Sequence, residues 1–279
     1  MNKEKLSLSD WLIASDIDGT LNNKARKLPK RNYDAIQKFV HEYSGNFILS
    51  SGRSIESMRK HVEKLNLTNG YAVFINGAGI YNYTKEEIVW LSPINERIAG
   101  IIKNTAKKFS AVKLQIVTPE AVHLVKPDIP AYILAVSSKL KRITYKSVDE
   151  IPEGQWCKAI FTGLPPIVDK VEKYVTEVNG DSTNLMRTSP FSFEIVNENT
   201  NKGVAVLKVA EILGVDKSKT AAIGDYFNDY QMLKSVAVPA CCGQAPQGMK
   251  DIAKLVTCHC NKGAVADLIE YIIENHDNL

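Results

Sequence analysis

The sequence predicts an α/β protein in which a parallel sheet, covered by helices on both faces, is interrupted by an α+β insertion. Three observations carry this. Strand-like and helix-like runs alternate from the N-terminus to Asn82; the same alternation resumes after Ser189; and the stretch between them sets strand-like runs close together instead. A length of 279 residues fits one large or two ordinary domains.

In order along the chain, Trp11 to Ala14 is a short apolar run ending just before Asp16, and reads as a buried strand. Tyr33, Ile36, Phe39, Val40 and Tyr43 recur at helical spacing, with Gly45 as the closing residue. Phe47 to Leu49 reads as the next strand, Ile55, Met58, Val62 and Leu65 as a second helical stripe, and Tyr71 to Ile75 as a third strand. In the middle, Leu114 to Val117, Val122 to Val125 and Tyr132 to Val136 read as strands. Ile98 to Phe109 and Ile167 to Val178 read as helices, the second opened by Pro165-Pro166. Finally, Val204, Leu207, Ala210 and Leu213 form a helix ended by Gly214, Thr220 to Ile223 a strand, Tyr230 to Leu233 a helix, Val236 to Val238 a strand and Ala264 to Ile273 a helix. The expected division is a discontinuous core of residues 1–82 and 189–279 and an inserted α+β segment of residues 83–188, with hinges near Tyr83 and Thr188.

Composition excludes several classes. Hydrophobic residues at 44% and charged residues at 24% are those of a globular protein. A net charge of +4, without a dense Lys/Arg block or interleaved aromatics, argues against nucleic acid and suits a small anionic substrate. No apolar run approaches a membrane span, and Met1 to Asp10 is too polar, and Trp11 to Ala14 too short, for a signal peptide. Cys157, Cys241, Cys242, Cys258 and Cys260 are odd in number and form no disulfide framework, so reduced thiols and a cytoplasmic location are expected. Cys258-His259-Cys260 fits none of the usual zinc spacings. His41 and His61 are expected to be solvated, and Trp90 and Trp156 to pack inside. No apolar stripe marks an interface, so the expected state is a monomer or weak homodimer.

The residues able to do chemistry sit at strand ends, where open parallel sheets bind ligands. Asp16-Ile17-Asp18-Gly19-Thr20 follows the first strand and could supply a nucleophile and a proton-transfer group, or simply an Asp-Gly turn. Gly224-Asp225-Tyr226-Phe227-Asn228-Asp229 follows a later strand and adds two carboxylates and an amide. Four acids at one sheet edge repel unless a cation lies among them, and oxygen-only ligands suit Mg²⁺; Asn228 or Asp229 could equally cap a helix. Ser50-Ser51-Gly52-Arg53 opens a helix and offers a hydroxyl and backbone N–H groups to an anion. Asn201-Lys202-Gly203 opens another, with a lysine suited to a phosphoryl group. Each alone is more often a cap or a solvated side chain. Together and in this order they describe a phosphate site.

Asp16-Ile17-Asp18-Gly19-Thr20-Leu21, Ser51-Gly52-Arg53, Lys202-Gly203 and Gly224-Asp225…Asn228-Asp229…Met232-Leu233 resemble the four motifs of the haloacid dehalogenase (HAD) superfamily. Within it they resemble the Cof-type sugar phosphatases, whose type IIB cap is inserted between the second and third motifs; Ile75-Asn76-Gly77-Ala78 is similar to a substrate-side motif of that subgroup. The resemblance implies a Rossmann-like core, an α+β cap that sets specificity, and a Mg²⁺-dependent phosphomonoester hydrolase. Its substrates would be small phosphorylated metabolites, sugar phosphates foremost, hydrolysed through an aspartyl-phosphate. It implies that Asp16 is the nucleophile and Asp18 the general acid and base. Ser51 and Lys202 would hold the phosphoryl group. Asp16, the Asp18 backbone carbonyl and Asp225 would bind Mg²⁺ with Asp229 in support, and Gly52, Arg53, Asn76, Gly77 and Asn228 would lie on the substrate side. Three positions depart from the pattern. Ser51 replaces a more usual threonine, Tyr226 and Phe227 are bulky, and Val238-Pro239-Ala240-Cys241-Cys242 stands where a Gly-Asn-Ala segment is expected. A sugar phosphomutase on the same scaffold and a non-catalytic binding protein are the alternatives; the intact Asp16, Asp18, Lys202 and Asp225 argue against the second.

Overall fold

Short apolar runs become sheet strands here because both faces of the sheet are covered. The computed structural model describes residues 6–67, 69–180 and 185–279; the polar lead Met1 to Lys5 lies outside them. Strand β1 (Leu12–Ser15) is buried at every position. Helix α1 (Lys30–Gln37) runs on into a π-helical turn, Lys38–Glu42. The left-handed residue after it is Ser44, at φ 60, and not Gly45. Gly45 serves a different need: a Cβ there would lie 2.3 Å from Phe39 Cζ, so its bareness lets the buried Phe39 ring close on the backbone. β2 (Asn46–Ser50), α2 (Ile55–Leu65) and β3 (Tyr71–Phe74) follow as expected. Two unforeseen strands come next, β4 (Gly79–Asn82) and β5 (Glu87–Leu91), each too short to show a period.

The inserted segment holds α3 (Glu96–Lys108), β6 (Lys113–Val117), β7 (Ala121–Val125), α4 (Ile129–Ser137), β8 (Lys141–Tyr145), β9 (Lys158–Thr162), α5 (Pro165–Asn179), β10 (Leu185–Ser189) and β11 (Ser192–Val196). Tyr132 to Val136, expected as a strand, is helix. Asp128 accepts a hydrogen bond from the Ala131 backbone N–H at 2.9 Å and Pro130 sits in the first turn, and these start signals outweigh an apolar run that has no period of its own. The six strands pair in the order β10-β11-β9-β6-β7-β8, and Ile102, Leu114, Ile116, Phe161, Val171 and Phe193 lie in the core beneath them.

The chain then adds α6 (Lys202–Leu213), β12 (Thr220–Gly224), α7 (Tyr230–Ser235), β13 (Val238–Cys241), α8 (Gln247–Lys250), β14 (Leu255–Val256) and α9 (Ala264–Asn275). Gly214 takes the expected left-handed cap at φ 68. The strand expected at Val236 to Val238 begins at Val238 instead. Pro239 reads as a breaker in sequence, yet the strand tolerates it, pairing Ala221 with Val238 on one side and Ala240 with Leu255 on the other.

The first sheet runs β14-β13-β12-β1-β2-β3-β4-β5, parallel from β14 to β3 and antiparallel between β3 and β4. From β1 the chain steps outward through β2 and β3, and after the insertion it returns to β12 on the other side of β1. β1 and β12 therefore flank the topological switch point, where open sheets bind ligands beyond the carboxyl ends. Two compact units result: Met1–Gly52 with Met58–Trp90 and Asn201–Leu279, and Arg53–Ser57 with Leu91–Thr200. The breaks fall at Trp90/Leu91 and Thr200/Asn201, and not at 82/83 and 188/189, because β5 extends the first sheet and β11 belongs to the second. At the edge of the second unit, Ser92 Oγ accepts hydrogen bonds from Asn197 Nδ2 at 3.1 Å and Thr200 Oγ1 at 3.0 Å.

Candidate active site

Asp16 is the first residue beyond β1, and its N–H donates to Ile223 O of β12 at 3.0 Å, so the ladder itself aims the side chain at the switch point. The chain then doubles back: Leu21 N–H donates to Asp16 O at 3.2 Å and Asn22 N–H to Ile17 O at 2.9 Å. Buried Asn32 fixes this loop, donating to Leu21 O at 2.9 Å and accepting from Ala266 N–H at 3.0 Å. Gly19, at φ 82, is required twice over, since a Cβ there would also lie 2.3 Å from Asp225 Oδ2.

Asp225 follows β12, and Asp229 closes the turn after it. Asp229 Oδ2 accepts from the N–H groups of Asp225 at 3.1 Å and Tyr226 at 3.4 Å, so the capping role and the site role fall on the same carboxylate. Lys202 opens α6, whose N-cap is Asn201, accepting from Val204 N–H at 3.0 Å. The Lys202 side chain is fully buried and its Nζ donates to Asp16 Oδ1 and to Asp229 Oδ1, each at 2.6 Å.

One lysine thus faces three carboxylates. Asp16, Asp225 and Asp229 bring ligand oxygens within 4.8 Å of one another. Burial pushes the Asp16 carboxyl up to about 7, with Asp229 and Asp225 adding to the rise and Lys202 opposing it. Burial followed by the Asp229 charge pushes Asp225 to about 6, against the pull of Lys202 and Gln244. Burial works against the Lys202 ammonium, but Asp16 and Asp229 outweigh it and hold its pKa above the ordinary lysine value. An all-oxygen donor set with surplus negative charge fits a hard divalent cation. The neighbouring Cys242 thiol, raised by burial, stays protonated and offers no soft ligand.

The remaining predicted residues divide. Asp18 is exposed in the loop and bridges to Asn22. Ser51 is buried past the end of β2; its N–H donates to Val73 O at 3.0 Å and its carbonyl accepts from Asn76 N–H at 2.9 Å. Asn76 lies in the left-handed region at φ 54, and its Oδ1 is buried with no hydrogen-bond partner among the described residues. Gly52 leaves room for that amide, since a Cβ there would lie 2.8 Å from Asn76 Oδ1. Gly77, at φ 98, lets its turn abut the start of α6, where a Cβ would meet Asn201 O at 2.2 Å. Arg53 falls with residues 53–57 in the second unit. Asn228 is exposed, and Tyr226 and Phe227 point outward at 58% and 53% exposure.

Sequence reasoning missed Gln244. Its Nε2 donates to Gly19 O at 2.6 Å and its Oε1 accepts from Cys260 N–H at 3.0 Å, tying the Asp16 loop to the segment after β14. The Gly-amide-Ala segment expected at residues 238–242 comes just after them, as Gly243-Gln244-Ala245; a glycine followed by an amide directly after a strand was the available signal. His61, expected to be solvated, is half-buried, and Asn22 Nδ2 donates to its Nε2 at 3.0 Å. All five cysteines are free thiols, and His259 caps its own turn by accepting from Asn261 N–H at 3.1 Å. Trp156 is core, with Nε1 donating to Pro152 O at 2.7 Å.

Residues 13–269 match the family described as haloacid dehalogenase-like hydrolases. A Streptococcus pyogenes protein named "Putative phosphatase M6_Spy0533" is 27% identical over 276 residues, covering 96% of this chain and 100% of the relative. A haloacid dehalogenase-like hydrolase from Bacteroides thetaiotaomicron superposes with a TM-score of 0.82 at 21% identity, over 94% of this chain and 99% of its own. The HAD subclass IIB sugar phosphatase BT4131 does so with a TM-score of 0.77 at 19% identity, over 94% and 98%. At these identities the two structures speak for the fold.

Proposed function

Since the chain belongs to the haloacid dehalogenase-like hydrolases, we propose that it is a Mg²⁺-dependent phosphomonoester hydrolase acting through an aspartyl-phosphate on small phosphorylated metabolites, sugar phosphates foremost. The observation that carries this is the Lys202 ammonium bridging Asp16 and Asp229 at 2.6 Å, beside Asp225, at the switch point of the sheet. The sugar-phosphatase name of one fold neighbour supports the substrate class.

Asp16 is the nucleophile: Lys202 holds Oδ1, and the other oxygen is left to attack phosphorus, forming the O–P bond as the ester oxygen departs. Asp18, exposed beside it, gives its proton to the leaving oxygen and then takes one from the water that cleaves the acyl phosphate. Lys202 and Ser51 hold the transferring phosphoryl group, and Gly52, Arg53, Asn76, Gly77 and Asn228 lie on the substrate side. A Mg²⁺ held by Asp16, the Asp18 carbonyl and Asp225, with Asp229 in support, would neutralise phosphoryl oxygens and keep the raised carboxyls ionised at neutral pH. The inserted unit would be the cap that selects the substrate, and the first unit, with residues 58–90 and 201–279, carries the carboxylate cluster. Five free thiols favour a cytoplasmic setting, and we propose a monomer or weak homodimer. Among the described residues, no helix is long and apolar enough to cross a membrane.

The test is phosphate release from a panel of sugar phosphates, nucleotides and an aryl phosphate, with Mg²⁺ or EDTA, by wild type and Asp16→Asn. Release that needs Mg²⁺ and vanishes in the variant is expected. Release that survives Asp16→Asn overturns the mechanism, and transfer to a sugar in place of release turns the reading towards a mutase.

A further inference from the structure

Behind the loop that follows Asp16, a cavity of about 390 Å³ opens between the Asn23–Lys27 turn and α2. Its wall carries Arg26, Lys27, Lys60 and Lys64, with His61 and Asn22 beside them, and among the described residues no carboxylate lines it. Among the described residues, none of the four long cations forms an ion pair. The neighbouring groove between α1 and α9 is the contrast. There Lys30 pairs with Asp34 at 2.5 Å and Arg31 with Glu270 at 2.6 Å, as surface charges of both signs ordinarily do.

Like charges gathered without a counter-charge repel one another. Lys60 and Lys64 stand one helical turn apart on α2, a spacing at which like charges repel. Arg26 and Lys27 are held by a closed turn: Asn23 Oδ1 accepts from the N–H groups of Ala25 at 3.0 Å and Lys27 at 2.9 Å, and Arg26 sits at φ 58. Two basic pairs, one from the turn and one from the helix, each match one phosphoryl group, arginine by its planar fork and lysine as a point charge. The volume is that of a small-molecule site. None of these residues belongs to the cluster of Asp16, Asp225, Asp229 and Lys202.

We propose that this pocket is a second anion site, binding a small molecule that carries two phosphoryl groups, a diphosphate or a bisphosphate. The test is a calorimetric titration of the full chain with inorganic pyrophosphate in EDTA and low salt. Without a divalent cation the catalytic cluster presents a surplus of carboxylates and does not compete. One pyrophosphate per chain is expected, with weaker binding of orthophosphate and a loss of affinity as salt is raised. Lys60→Gln/Lys64→Gln and Arg26→Gln/Lys27→Gln each weaken binding by about tenfold or more, the equivalent of one lost charge-assisted contact. Lys30→Gln/Lys38→Gln, in the neighbouring groove, leaves it within about threefold. These side chains are exposed, and unchanged circular dichroism confirms that each variant folds. No binding by the wild type, affinity unchanged in both pocket variants, an equal loss in the control, or tighter binding of orthophosphate each overturns the proposal. No turnover is involved, so the result stands apart from the phosphatase reading.

Discussion

Lys202 is a buried cation that spans two acids, and removing it differs from removing either acid. Lys202→Ala leaves Asp16 and Asp229 buried without their counter-charge, which costs about 3–5 kcal/mol of stability. Asp16→Asn keeps the Lys202 pair with Asp229 and costs much less, while on the proposed mechanism it removes the nucleophile and lowers turnover by several orders of magnitude. Denaturant unfolding of both variants beside phosphate release checks this: equal stability losses contradict the bridging role. At this scale the four acids and the lysine were legible because each sits at a fixed short offset from a strand end or helix start. Gln244 was missed although Gly243-Gln244-Ala245 offered a local signal for its place; only its pairing with Gly19, 225 positions away, has no local mark.

Elements were legible where period and caps agree. α5 joins an apolar period to its opening Pro165-Pro166, and Asn201 and Gly214 bound α6, whereas Tyr132 to Val136 is apolar throughout, so only the Asp128 cap and Pro130 ahead of it could decide between strand and helix. Strands β8 and β10 mix charged and apolar residues because they lie at the two edges of the second sheet, with solvent on one flank. The end of the first helical run carries a prediction. Gly45→Ala drives a methyl into the Phe39 ring and destabilises by about 1–3 kcal/mol, as overpacking does, whereas Ser44→Gly, at φ 60, is neutral or stabilising. Thermal melts of the two variants decide which residue the glycine is needed for; the opposite ranking returns the capping role to Gly45.

For the whole molecule, the site's unbalanced charge makes stability depend on pH and metal together. In EDTA, Asp16 at about 7 and Asp225 at about 6 bind protons in the folded chain that the unfolded chain, at about 3.8, has released. Their contribution is therefore most favourable below about pH 4 and declines as pH rises towards 7. Asp16→Asn removes the larger share, so the difference in melting temperature between wild type and variant shifts against the wild type over that range. On the proposed Mg²⁺ site, the ion at about 100 times its Kd would add about 2.7 kcal/mol and reverse the trend at neutral pH. A wild type that gains on the variant as pH rises in EDTA contradicts the raised carboxyls. The two-sheet division was visible from the broken rhythm of the chain, but its edges were not, because β4, β5, β10 and β11 are short and are fixed by pairing partners distant in sequence.

The Ser92 clamp on Asn197 and Thr200 makes the insertion a cassette. Its entrance and exit lie side by side, so a gene in which a few glycine and serine codons replace residues 92–200 should still encode an eight-stranded fold, and a foreign insert spliced at the same seam should graft without retuning the sheet. Such a trimmed chain, melting cooperatively by circular dichroism, would turn one chain into a platform onto which other inserts can be exchanged.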